Sequence, residues 1–140
     1  MKILHLIILI FPAYTFATEL DEKWELWESK NIPSYQYTLI KGAGPFGYTI
    51  YKVKINSGIC KAKEKYIFNR KPIFWKQTTC DGIKFNDLYD SIKKQIRQGV
   101  KRIEIKYDEK YGFVKYLSVE PDTKEEDTDW HFNITKFETK

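Results

Sequence analysis

The sequence is poor in the residues that build metal centres and nucleophilic active sites. Its 140 residues include only two histidines and two cysteines. A structural zinc site needs about four cysteine or histidine ligands, and neither their usual spacing nor a Ser–His–Asp arrangement stands out. We therefore predict a non-catalytic protein with no catalytic residues, no bound metal and no cofactor.

Long apolar runs are also missing. The longest, residues 3–11, falls well short of the roughly 20 residues that a membrane-spanning helix needs. Lys2 precedes this run, and Thr15 and Ala17 place small residues where signal peptidase cleaves. We expect a signal peptide that is cleaved after Ala17 and export to the periplasm or the extracellular space; an uncleaved anchor is the alternative. The mature chain would be a single domain, residues 18–140, without a transmembrane segment.

A strong excess of charge of one sign is absent as well. The formal net charge is +5, and loss of residues 1–17 would leave +4, because Lys2 is their one charged side chain. This charge is too small to indicate nucleic-acid binding, and an exported protein rarely meets nucleic acid. We therefore expect no nucleic-acid partner.

The two cysteines, Cys60 and Cys80, lie in the part of the chain that we expect to be exported. Disulfides persist in oxidising compartments, so a Cys60–Cys80 bond is favoured over two free thiols. The patterns of residues 59–68 and 73–79 predict two strands joined by a short turn. Pairing outward from that turn brings the cysteines together, so the disulfide should join the open end of this hairpin.

Two segments have helical periodicity. Leu20, Trp24 and Trp27 recur at i, i+4 and i+7. Thr18 can cap the first turn, so we expect the first helix to begin there. The shared face of the tryptophans favours packing against a sheet, with a ligand platform as the alternative. A second amphipathic helix begins near Phe85.

Strand patterns occupy most of the remaining chain. The predicted strands are residues 35–41, 48–56, 59–68, 73–79, two strands within 102–122, and 130–137. In the last, Trp130, Phe132 and Ile134 share one side, to which we also assign Lys136. Short turns make consecutive strands antiparallel neighbours. We predict an α+β fold in which a curved, antiparallel β-sheet of about seven strands packs one or two helices on one face.

The strongest local pattern is the hairpin within residues 102–122. Asp108 can start its turn, and Gly112 can adopt a positive φ without steric cost. Tyr107 continues the alternation of a core strand, whereas the sequence reveals no structural role for Tyr111. We expect this hairpin to lie at the centre of the sheet.

Residues 107–113, with the sequence YDEKYGF, resemble the YDPxYGYP hairpin of a family of small exported bacterial proteins of unknown function. Short motifs at residues 55–59 and 85–89 agree with the same family. Glu109 and Val114 stand where the family pattern has prolines, so this turn is less restricted in φ. The resemblance covers essentially the whole mature chain. It implies an exported α+β domain and implies no activity and no catalytic residues.

Five lysines alternate with apolar residues on two adjoining predicted strands. Lys52 and Lys54 project from the first strand, and Lys61, Lys63 and Lys65 project from the second. All five should share one face, because alternate residues of a strand point to the same side. Such a face could bind an anionic envelope component, such as a polymer or lipid headgroups, or an acidic protein. The alternative is a solvated face that protects the sheet from edge pairing.

Three other segments are weaker candidates. The loop at residues 42–47 or the turn at residues 108–112 could be presented to an enzyme by a small secreted inhibitor. A hydrolase would need His131, the one histidine outside the expected signal peptide, to meet a carboxylate. The acidic loop at residues 122–129 could bind Ca²⁺ weakly, but it lacks the spacing of a dedicated calcium loop. Turn chemistry and solvation explain each of these segments more simply.

Overall fold

The structure, a computed structural model, describes residues 12–43, 47–68, 71–72, 74–122 and 129–140. Within these residues the chain forms two helices and eight strand segments. They are, in chain order, α1 (Pro12–Ser29), β1 (Ser34–Ala43), β2 (Tyr48–Asn56), β3 (Ile59–Phe68), β4 (Lys71–Pro72), β5 (Lys76–Thr78), α2 (Phe85–Gln98), β6 (Val100–Tyr107), β7 (Val114–Pro121) and β8 (Trp130–Thr139).

The strands form one open antiparallel sheet in the order β4-β3-β2-β1-β8-β7-β6. The short β5 also pairs with β3, at a different stretch from β4, so the sheet has seven strand positions. The sheet has two halves, each built by pairing of strands that are close in sequence. One half contains β1 to β4 and the other contains β6 to β8, and the pairing of β1 with β8 joins them. The predicted α+β fold with about seven strands and two helices is confirmed.

The expectation that the β6–β7 hairpin is central is wrong. β6 is the last strand at one edge, and β1 lies near the middle of the order, between β2 and β8. The reason is that β8 pairs with β1 on one side and β7 on the other, which leaves β6 with one neighbour. A hairpin pattern in the sequence predicts that two strands pair with each other, but it does not indicate which position the hairpin takes in the sheet.

The core lies between one face of the sheet and the two helices. Alternation in the central strands buries Leu39, Leu117 and Phe132 completely, and α2 contributes the fully buried Ile92. From α1, Leu20 enters the same cluster with 1% of its surface exposed. Removal of these side chains from water is the main stabilising term of the fold, at about 1.5–3 kcal/mol for each large apolar side chain.

The first helix begins earlier than predicted. α1 starts at Pro12, six residues before Thr18. Proline is tolerated in the first turn of a helix, where its missing N–H would have no intrahelical partner. The predicted cleavage after Ala17 falls within α1 and stays a prediction. Of the two tryptophans, Trp27 is buried in the core and Trp24 stacks on Tyr89 with ring centroids 4.6 Å apart, so both serve packing.

A β-bulge changes the facing of side chains near the end of β8. The register with β1 shifts between Gln36 and Thr38, which adds one residue to β8. Lys136 lies at this shift with φ at +52° and is exposed. Phe137 enters the core instead, with its ring centroid 4.7 Å from that of Phe113. The assignment of Lys136 to the buried side of β8 is therefore wrong.

The predicted disulfide is confirmed, although the strand that carries it is shorter than expected. Cys60 and Cys80 are bonded, with their Cα atoms 6.2 Å apart. The predicted strand 73–79 is interrupted, because Pro72 ends β4 and the pairing with β3 resumes only at β5. Proline lacks the N–H that a paired strand donates and is found at sheet edges, where β4 and β5 lie.

We expect the double variant Cys60→Ala, Cys80→Ala to lose about 3 kcal/mol of unfolding free energy. The bond closes a loop between residues 20 positions apart, and closing a loop of that size restricts the unfolded chain. Urea denaturation followed by circular dichroism would measure the loss. Wild-type protein reduced with dithiothreitol is the matched control, and it should unfold at the same urea concentration as the variant. A loss below about 1 kcal/mol would contradict the prediction.

Candidate functional site

The sheet face opposite the helices carries the five predicted lysines, which we call the lysine face: Lys52, Lys54, Lys61, Lys63 and Lys65. In the register of β2 with β3, Lys52 lies opposite Lys63 and Lys54 lies opposite Lys61. The residues between them, such as Val53 and Ala62, are buried against the core. This alternation sends the lysines outward together, as predicted, while a binding role for them stays a prediction.

Trp75 lies among these lysines. Its ring centroid is 5.0 Å from the Nζ atom of Lys52, 5.5 Å from that of Lys63 and 5.2 Å from that of Lys65. Each distance is within the range of a cation–π interaction. Sequence reasoning did not single out Trp75, although the residue lies within the predicted strand at residues 73–79. The available signal was its position two residues before Gln77, which pairs with Lys63.

The lysine face has few acidic neighbours: Glu138 lines the same groove but is within ion-pair distance of none of the five lysines. Within the described residues no carboxylate forms an ion pair with any of the five lysines, whereas nearby Lys76 is 3.0 Å from Glu64. The amine of Lys140, through a hydrogen bond and its charge, holds the pKa of Lys54 below its ordinary value, and Lys61 adds to this effect. A lysine whose pKa is lowered by neighbouring cations marks a surface where an anion would be stabilised.

The lysine face lines a shallow groove of about 420 Å³. Lys52, Lys54, Lys61 and Lys63 form much of it. On the side of β1, Gln36 donates a hydrogen bond of 2.6 Å to Glu138, which sets the polar margin of the groove. An extended anionic chain could therefore contact several ammonium groups in one continuous depression.

The turn at residues 108–112 is held by its own hydrogen bonds and by α1. The Asp108 carboxylate accepts hydrogen bonds from the backbone N–H groups of Lys110, at 3.0 Å, and Tyr111, at 2.9 Å. The ring of Tyr111 lies 4.9 Å from that of Phe137, so Tyr111 has the packing role that the sequence did not reveal. Gly112 is buried against the backbone of α1. Tyr111 and Gly112 therefore anchor the turn on the core, whereas Glu109 and Lys110 at its tip are exposed, and presentation of the turn to an enzyme stays a prediction.

A family model matches residues 19–139, which is nearly the whole described domain, and that family is DUF6174, a family of unknown function. The chain belongs to DUF6174. This confirms the predicted membership of a family of unknown function. No curated protein is similar enough to this chain to transfer a function to it. Neither helix in the described part of this DUF6174 chain is long and apolar enough to cross a membrane.

Among the remaining weaker candidates in this DUF6174 domain, His131 is the one that lies wholly within the described residues. His131 is exposed on the outer face of the sheet, beside Gly42, and no described carboxylate pairs with it. The described residues contain no group of three or more potential metal ligands. Most of the acidic loop, at residues 123–128, and residues 44–46 of the glycine loop lie outside the described residues. A non-catalytic role stays a prediction.

Proposed function

We propose that this DUF6174 domain is an exported, non-catalytic binding domain that holds an anionic envelope polymer on its lysine face. The observation that carries the proposal is a single surface of five ammonium groups without a described carboxylate partner. The signal-peptide pattern and the Cys60–Cys80 disulfide support export. Lysines placed directly opposite each other on neighbouring strands repel and destabilise a sheet. A face that served only to be solvated would not need such pairs, so their presence favours a binding role.

The spacing of the lysines suits a polymer better than a small anion. Alternate residues of a strand are about 7 Å apart, and neighbouring strands are about 5 Å apart. The register therefore places the Cα atoms of four lysines at regular intervals along and across the two strands: Lys52, Lys54, Lys61 and Lys63. Each exposed ion pair contributes only about 0–1 kcal/mol, so useful affinity requires several contacts made by one molecule. A chain with repeated carboxylate or phosphate groups provides them.

We expect the variant in which Lys52, Lys54, Lys61 and Lys63 are all replaced by Glu to bind immobilised polygalacturonate, a carboxylate polymer, at least about tenfold more weakly than wild type. The reason is that four local attractions become repulsions. Biolayer interferometry would measure the dissociation constants. Binding by the wild type should also weaken as salt rises from about 50 to 300 mM, because these charges are exposed and screened.

The matched control reverses four exposed cations outside the lysine face: Lys30, Lys94, Arg97 and Lys115. Both variants have the same net charge, so only a local surface can distinguish them. Equal weakening by the two variants would contradict the proposal. Crosslinking and pull-down from the cell envelope gives a second readout. Recovery of one stoichiometric protein in place of polymer would favour an acidic protein partner or the alternative, a small secreted enzyme inhibitor.

A further inference from the structure

A second cavity lies on the opposite side of the sheet from the lysine face. It has a volume of about 590 Å³ and opens between α2 and the ends of β1, β2, β3 and β8. Three aromatic residues that share the core side of their strands line it, and we call it the aromatic cleft after them: Tyr51, Tyr66 and Trp130. This volume is in the range of clefts that bind drug-sized molecules.

The helix leaves this cleft open because of the residues that it places there. Leu88, Ser91 and Gln95 are spaced i, i+3 and i+7, so they lie on one face of α2, and all three line the cleft. Leu88 is buried in the core, whereas Ser91 is small and exposed. A larger apolar residue at Ser91 would close the gap between the helix and the strands, as Leu88 does one turn earlier.

The aromatic lining is accessible from solvent. Tyr66 is 38% exposed, which is unusual for a large ring next to a core. Apolar surface gathered in a concave site is typical of ligand binding. Tyr and Trp rings offer flat faces for stacking and edges that carry polar groups.

The cleft holds one hydrogen-bond donor that lacks an acceptor and one cation that lacks an ion-pair partner among the described residues. Lys41 follows the alternation of Leu39 on β1 and is drawn towards the core side, where partial burial lowers the pKa of its amine. No carboxylate forms an ion pair with Lys41 within the described part of the chain. The Nε1–H group of Trp130 is also buried, with no acceptor among the described residues. A buried donor without an acceptor is costly, and a partly desolvated cation is stabilised by an anion, so the two groups favour a ligand that brings anionic oxygen atoms.

We infer that the aromatic cleft binds a small aromatic anion, whose ring system packs between the tyrosines and Trp130 and whose anionic group contacts Lys41. The site is separate from the lysine face, because the two lie on opposite faces of the sheet. The inference therefore does not depend on the polymer proposal. Each could be true without the other.

A pair of fluorescent dyes tests both parts of the inference. The probes are 1-anilinonaphthalene-8-sulfonate and its uncharged analogue N-phenyl-1-naphthylamine, titrated against folded protein. Wild type should bind both dyes in one-to-one stoichiometry. Lys41→Gln should weaken binding of the sulfonate about tenfold, because a charge-assisted contact is lost, and should change binding of the neutral analogue less than about twofold. Ser91→Trp should fill the cleft and abolish binding of both dyes.

Lys54→Gln on the lysine face is the matched control and should leave the affinity for both dyes unchanged. Two results would overturn the inference: equal weakening of sulfonate binding by Lys41→Gln and Lys54→Gln, or undiminished dye binding by Ser91→Trp. Ser91 is exposed, so its variant should fold, and circular dichroism would verify this for every variant. Gln95→Trp blocks the same cleft from the next turn of α2 and should repeat the result of Ser91→Trp.

Discussion

Gly112→Ala should lower the unfolding free energy by about 3–5 kcal/mol, combining backbone strain and overpacking. Gly112 has φ at +86°, where an L residue is strained. A Cβ atom at this position would also collide with the backbone oxygen of Lys23 and would lie 3.0 Å from Cβ of Leu26. Backbone cannot rotate away as a flexible side chain can, so α1 would have to move from the sheet. Urea denaturation followed by circular dichroism would measure the loss.

Gly58→Ala is the control, because it separates strain from collision. Gly58 has φ at +82°, almost the same as Gly112, but a Cβ atom there would have nothing within 4 Å. It should cost only the conformational penalty, about 1–2 kcal/mol. If the two variants lost equal stability, the prediction that Gly112 is needed for close packing of the turn against α1 would be wrong.

Trp27→Ala should destabilise the domain by about 3–5 kcal/mol, as is usual when a buried aromatic residue is truncated. Trp27 is 8% exposed and is the residue through which α1 meets the aromatic part of the core. Its ring lies 4.8 Å from that of Phe85, 5.1 Å from that of Tyr35 and 5.8 Å from that of Phe113, in edge-to-face arrangements. Its removal would leave a cavity between α1, α2 and the sheet, which denaturant titration would report as a lower midpoint.

Trp24→Ala is the matched control on the same helix. Trp24 is half-buried and stacks on Tyr89, so truncation should cost only about 1–2 kcal/mol. If Trp24 proved as costly as Trp27, the tryptophan face of α1 would be stabilised by more than burial in the core. If neither variant were destabilised by more than about 1 kcal/mol, α1 would not be a cooperative part of the domain.

Local periodicity was sufficient to predict the features that depend on neighbouring residues. The helix that begins at Phe85, the outward direction of Lys52 and Lys63, and the Cys60–Cys80 bond are all present as predicted. Each follows from the spacing of residues within one helix or one hairpin, where the period of the backbone leaves little choice. The start of α1 was missed because Thr18 is a good cap in isolation, yet the helical residues before it continue the helix.

Features that depend on distant pairings could not be predicted in this way. Gln36 and Glu138 are 102 residues apart, and nothing local to either strand indicates that β1 and β8 are neighbours. The same is true of the aromatic cleft, since Lys41, Tyr66 and Trp130 come from three different strands. Lys41 appears from sequence as an ordinary strand lysine, and only the assembled sheet shows that it is partly buried.

The pairing of β1 with β8, which we call the seam because it joins the two half-sheets, also sets the order in which the domain can fold. Every other strand pairing among the described residues joins segments close in sequence, so each half-sheet can begin to form on its own. Oxidation of Cys60 and Cys80 needs only the first half. Closure of the seam must wait for β8, which follows the other described strands of the sheet in the chain. Because long-range pairing of this kind raises the contact order, the closing step should be the slow one, on a scale of milliseconds to seconds. Until it occurs, both seam strands expose unpaired edges, and this is when the chain is most open to aggregation.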